Sequence, residues 1–119
     1  MNELIRELHD IEMIKQLKHR YFRAIDMADH GLLDSVFTDD IKVDYRGGTY
    51  VWEASGKKEI IESLKYSFHS ETAAMHTGHH PEISIHDEVN ASGIWYLQDI
   101  FYNFKENALT QGTALYKDK

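Results

Sequence analysis

After Ser70 this chain changes character, and that change restricts the fold more than any other feature of the sequence. Before it, apolar residues recur mostly at helical spacing; after it, they come in β-branched and aromatic runs. Leu4, Leu8, Ile11, Ile14, Leu17, Tyr21, Ile25 and Ala28 follow three- and four-residue steps, which predicts one long helix with this stripe in the core. Gly31 is the expected stop, Leu32 to Phe37 a short second helix, and Thr38-Asp39-Asp40 its break. Ile41 to Tyr45 alternates as a strand, Gly47-Gly48 turns, and Thr49 to Trp52 returns. Ser55-Gly56-Lys57-Lys58-Glu59 opens a third helix with Ile60, Ile61, Leu64 and Phe68 on its apolar face. Beyond Ser70, Ala73 to His79 and Glu82 to His86 read as strands separated by Pro81, Ala91 to Phe104 as a long strand, and Leu109 to Tyr116 as another. Helices followed by a mostly antiparallel sheet predict an α+β fold, with the helices on one face of a curved sheet. Such a sheet encloses a cone, and a ligand pocket is one way to fill it.

Several classes of function drop out. The 119 residues fit a single domain spanning residues 1–119, with no repeat, low-complexity tract or linker. With no cysteine, disulfides, thiolate zinc sites and cysteine nucleophiles are excluded. A net charge of −7 argues against nonspecific nucleic-acid binding. No apolar run approaches a membrane span, and Met1-Asn2-Glu3-Leu4-Ile5-Arg6 does not read as a secretory signal, so a cytoplasmic location with no membrane partner is expected. Neither a phosphate-binding glycine loop nor a GxSxG elbow is present.

Four side chains attract chemical interest. On the long strand, Gly93, Trp95, Leu97, Asp99 and Phe101 share one face, and Ile94, Tyr96, Gln98, Ile100 and Tyr102 the other. Parity does not say which face turns inward. If the first does, Asp99 is a carboxyl among aromatics; otherwise it is an exposed or lysine-paired strand residue. Asp26 lies in the last turns of the first helix, against the macrodipole, so it either serves a partner or sits in solvent. Tyr21 lies on the apolar stripe, about 140° around the helix from Asp26. His76 and His80 would share a strand face, with His79 opposite; their spacing is no strong metal motif, and no metal site is expected. A single histidine, His76, serves better as a general base with a carboxylate such as Asp26 fixing its tautomer. His79, His80 and His86 read as structural or surface groups.

Taken together, Tyr21-Phe22-Arg23-Ala24-Ile25-Asp26, Val36 to Val43, Gly56 to Ile61, Met75-His76-Thr77-Gly78-His79 and Gly93 to Asp99 resemble the SnoaL-like branch of the nuclear-transport-factor-like superfamily. Met75 to Ile85 and Gly93 to Asp99 are especially similar to bile acid 7α-dehydratases. The resemblance implies a cone-shaped, cystatin-like roll and a cofactor-independent dehydratase or lyase. It assigns His76 and Asp26 as a base dyad, with Tyr21 and Asp99 assisting. Trp95, Leu97, Phe101 and Tyr45 then suggest a small apolar substrate, steroid-like or polycyclic. A non-catalytic binding or assembly module and a double-bond isomerase are the alternative readings. The family's sheet continues one strand beyond a stretch like Thr110 to Lys119, so the final strand is expected to be lacking here. Leu109 to Tyr116 would then have an unpaired edge for a partner subunit to cover, as in a homo-oligomer, dimer or trimer.

Overall fold

A computed structural model describes residues 2–119. The first helix, α1 (Glu3–Asp26), starts where the Asn2 side chain accepts a hydrogen bond from the Ile5 amide at 2.9 Å. Its end comes earlier than Gly31. Ala28 takes the left-handed conformation (φ 51°), its amide bonds the Ile25 carbonyl, and the Asp29 amide bonds the Ala24 carbonyl at 2.8 Å. These two bonds form a Schellman stop, with alanine where glycine is usual. Gly31 instead lies in the first turn of α2 (His30–Val36), which Asp29 caps through the Leu32 amide.

The expected core stripe on α1 holds only in part: Ile25 is buried and Ile11, Ile14, Tyr21 and Ala28 are half-buried. Leu4, Leu8 and Leu17 are exposed, and Phe22, Ala24 and Ile25 are the buried residues. The first turns of α1 meet no covering layer. Further along, the face at Lys18, Tyr21, Phe22 and Ile25 turns inward.

The hairpin β1 (Lys42–Gly47) and β2 (Tyr50–Ser55) follows, its turn eased by Gly48 at φ 57°. Next comes α3 (Lys57–Ser67). Ala24, Ile25, Leu33, Ala54, Ile60, Ile61 and Leu64 form one core cluster joining all three helices to the hairpin.

The second sheet has the order β3-β4-β5, all antiparallel: β3 (Thr72–Ile85), β4 (Ala91–Asn103) and β5 (Ala108–Asp118). β3 is one strand rather than the expected two. Its register shifts at a bulge between His79 and Glu82, which houses Pro81 and leaves His80 at φ 51°. The bulge upsets the parity that would have put His80 beside His76. The His80 ring instead meets Tyr96, on the opposite face of the sheet.

The fold is therefore α+β with mostly antiparallel strands, but in two open sheets rather than one. Among the described residues no strand pairs β5 on the side away from β4. The face of Gly93, Trp95 and Leu97 turns inward onto α1; Trp95 is 2 % exposed. No described helix is long and apolar enough to cross a membrane.

Candidate active site

The candidate site forms where the end of α1 meets the free edge of β3. Asp26 is the last helical residue, so its side chain leaves the helix toward the strand. Both carboxylate oxygens accept from the His76 amide at 3.1 Å, and Oδ1 also accepts from His76 Nδ1 at 2.7 Å. A carboxylate only accepts, so Nδ1 is the donor, and the neutral ring carries its lone pair on Nε2. The helix macrodipole disfavours a charge here, and the three hydrogen bonds offset that. The side chains of His76 and Asp26 are 9 % and 21 % exposed.

The imidazole stands in an aromatic slot. Phe22 stacks on it at 6.1 Å between ring centres, and Phe68 meets it edge-on at 5.6 Å. Phe101 lies behind Phe68 at 5.7 Å. Nε2 has no hydrogen-bond partner among the described residues.

Asp99 is the cross-strand partner of His76. The His76 amide points to Asp26 and away from β4, so His76 and Asp99 form a non-hydrogen-bonded pair. Side chains stand closest in such pairs, with Cβ atoms about 5 Å apart. Asp99 is half-buried and pairs with no hydrogen-bond donor among the described residues. An open groove of about 450 Å³ runs alongside, bounded by Phe22, Arg23, Asp26, Met27, His76 and Gly78.

Tyr21 lies elsewhere. Its hydroxyl meets that of Tyr45 at 3.2 Å, and the ring of Tyr116 packs on Tyr45 at 5.9 Å. Phe22 separates this cluster from His76. Burial pushes the Tyr21 phenol well above its usual range, and Tyr45 and Tyr116 reinforce the shift. Burial raises Tyr45 and Tyr116 as well. All three are neutral donors at ordinary pH. Of the expected substrate contacts, Tyr45 and Phe101 are half-buried, whereas Trp95 and Leu97 are core residues under α1.

Sequence reasoning missed Tyr116 and Lys18. The Lys18 side chain is 11 % exposed, bonds Asp118 at 2.7 Å and lies 3.7 Å from the centre of the Tyr116 ring. Burial lowers its pKa, and the Asp118 carboxylate opposes that shift. The available signal was a lysine three and four residues before Tyr21 and Phe22, on the buried face. Among the described residues, no cluster of three or more His, Asp or Glu side chains is arranged to hold a metal ion.

The sequence profile of the SnoaL-like domain matches residues 6–119. The chain belongs to the SnoaL-like domain family. Solved structures agree at the level of fold. A candidate scytalone dehydratase from Novosphingobium aromaticivorans superimposes with a TM-score of 0.81 at 20 % identity, covering 94 % of this chain and 73 % of that one. The Kfla4162 protein of Kribbella flavida gives 0.83 at 19 % identity, covering 93 % and 79 %. ActVI-ORFA of Streptomyces coelicolor gives 0.65 at 16 % identity, covering 87 % and 78 %. At these identities the SnoaL-like likeness is one of fold.

Proposed function

We propose that this SnoaL-like protein is a cofactor-independent dehydratase acting on a small apolar, polycyclic or steroid-like substrate. One observation carries the reading. The 2.7 Å bond from His76 to Asp26 commits Nδ1 and frees Nε2, opposite an unpartnered carboxyl, in an aromatic slot beside an open groove.

In this reading, Nε2 takes a proton from carbon next to a carbonyl. The electron pair of that C–H bond forms the new double bond, and the C–O bond to the β-hydroxyl breaks. Asp99, as the carboxylic acid, gives the departing oxygen its proton, so water leaves. Asp26 holds the ring and stabilises the imidazolium that forms. Solvent then returns the proton from His76 to the donor.

The test is turnover of hydroxysteroids, bile-acid thioesters or small aromatic polyketides by the wild-type protein and by His76→Ala. A general base of this kind contributes about 10²–10⁴-fold, so the variant should lose at least two orders of magnitude while keeping its circular-dichroism spectrum. Unchanged turnover overturns the assignment. A product with a shifted double bond and no lost water assigns an isomerase instead.

We also infer a homo-oligomer, dimer or trimer. β5 has a free edge among the described residues. The outward face of its sheet exposes Met75, Tyr96, Leu109 and Leu115 in a chain of net charge −7. A second copy would cover these apolar side chains.

A further inference from the structure

Asp99 stands on the central strand between two different neighbours, His76 on β3 and Gly112 on β5. A Cβ placed on Gly112 would lie 2.7 Å from Asp99 Oδ1, 3.6 Å from Cγ and 3.8 Å from Oδ2. The carboxylate therefore occupies the space that a side chain at position 112 would need. It leans over β5 and away from the histidine. No backbone requirement explains a glycine here: Gly112 lies within β5, and the glycines with positive φ are Gly48 and Gly56. A glycine within a strand commonly marks the close approach of another group, and here that group is Asp99.

The direction of this lean has a chemical consequence. If the carboxylate leaned the other way, it would come to the imidazole of its cross-strand partner. A second carboxylate on His76 would favour the charged ring and occupy the nitrogen that must stay free. Instead, Asp26 is the carboxylate within ion-pair reach of His76.

We propose that Gly112 is a positioning residue, whose missing side chain seats the Asp99 carboxyl apart from His76 so that base and acid face each other across a gap open to substrate. The role in catalysis rests on the dyad reading above; the seat itself is tested without any substrate. Imidazole ¹⁵N resonances of His76 are recorded at neutral pH for the wild type, Gly112→Ala and the double variant Gly112→Ala/Asp99→Ala, with melting temperatures for each. With the seat filled, Asp99 is driven toward His76, and the Nε2 resonance should move from the unprotonated toward the protonated position. The double variant should return it to the wild-type position. An unmoved resonance in Gly112→Ala, or an equal shift in the double variant, overturns the proposal. If Gly112→Ala does not fold, removal of Asp99 must restore folding; a double variant that also fails overturns it. Failure of the dyad reading would appear separately, as unchanged turnover in His76→Ala.

Discussion

At the scale of single residues, three phenols and one lysine give the interior a distinct response to alkali. An unfolded tyrosine ionises near pH 10.0, whereas burial keeps Tyr21, Tyr45 and Tyr116 protonated in the fold. Above pH 10 the unfolded chain binds fewer protons, so stability falls as pH rises, by up to about 1.4 kcal/mol per pH unit for each phenol. Lys18 acts in the opposite sense. Its folded pKa lies below 10.5, so its contribution rises as pH climbs to that value and is constant beyond it. Urea titrations at intervals between pH 9 and 12 should therefore show a decline that steepens above 10.5, and Tyr21→Phe should remove one phenol's share of it. Asp26 was legible in the sequence because a carboxylate at a helix C-terminus contradicts its surroundings, whereas His76 was singled out from its histidine cluster by its fit as a base beside such a carboxylate and by the family resemblance. Lys18 contradicted its surroundings too. It escaped notice because a stripe drawn through Leu17 looked complete without it.

At the scale of elements, the sequence marked all eight, one of them, β3, as two strands, and the other misses fell on ends and orientation. The stop of α1 was expected at Gly31 because glycine is the usual left-handed residue. The chain instead uses Ala28, which the pattern of side chains does not mark. An alanine there carries the cost of its Cβ, about 1 kcal/mol. Ala28→Gly should therefore raise the unfolding free energy by about that much, read as a higher urea midpoint at an unchanged m value. The exposure at the start of the α1 stripe has a different cause. Periodicity reports which residues could be buried, but the first turns of α1 run past the end of any covering layer, and no local pattern carries that fact. The bulge at His80 and Pro81 was half legible: Pro81 signalled a break, although the strand absorbs it and continues. Gly78 shows how tightly the helix and sheet fit. A Cβ there would lie 2.7 Å from Phe22 Cε2. Gly78→Ala should cost about 1–3 kcal/mol by denaturant titration, since the Phe22 ring must give way while sandwiched against His76.

At the scale of the whole molecule, the α+β class followed from the order of elements, but the number of sheets did not. Strand pairing is non-local, and nothing in β1 or β5 alone says whether a further strand joins them. The free edge of β5 and the exposed apolar side chains of the outer face predict self-association, so light scattering at micromolar concentration should give a multiple of the 13.9 kDa chain mass. A monomer at that concentration would contradict it. Replacing Tyr96 and Leu115 together with lysine should lower the mass toward that of one chain without altering the circular-dichroism spectrum.

The division into two sheets also has a mechanical meaning. β1 and β2 are zipped by their own ladder, as are β3, β4 and β5, but among the described residues no ladder crosses from one set to the other. Tyr45 and Tyr116 touch across that seam, and α1 spans it as a common spine through Ile25 on one side and Phe22 on the other. A molecule pulled between the turn at Gly48 and the turn at Asn107 would then yield along the seam at low force, with both ladders intact. Only a second, higher-force event would unravel the strands themselves.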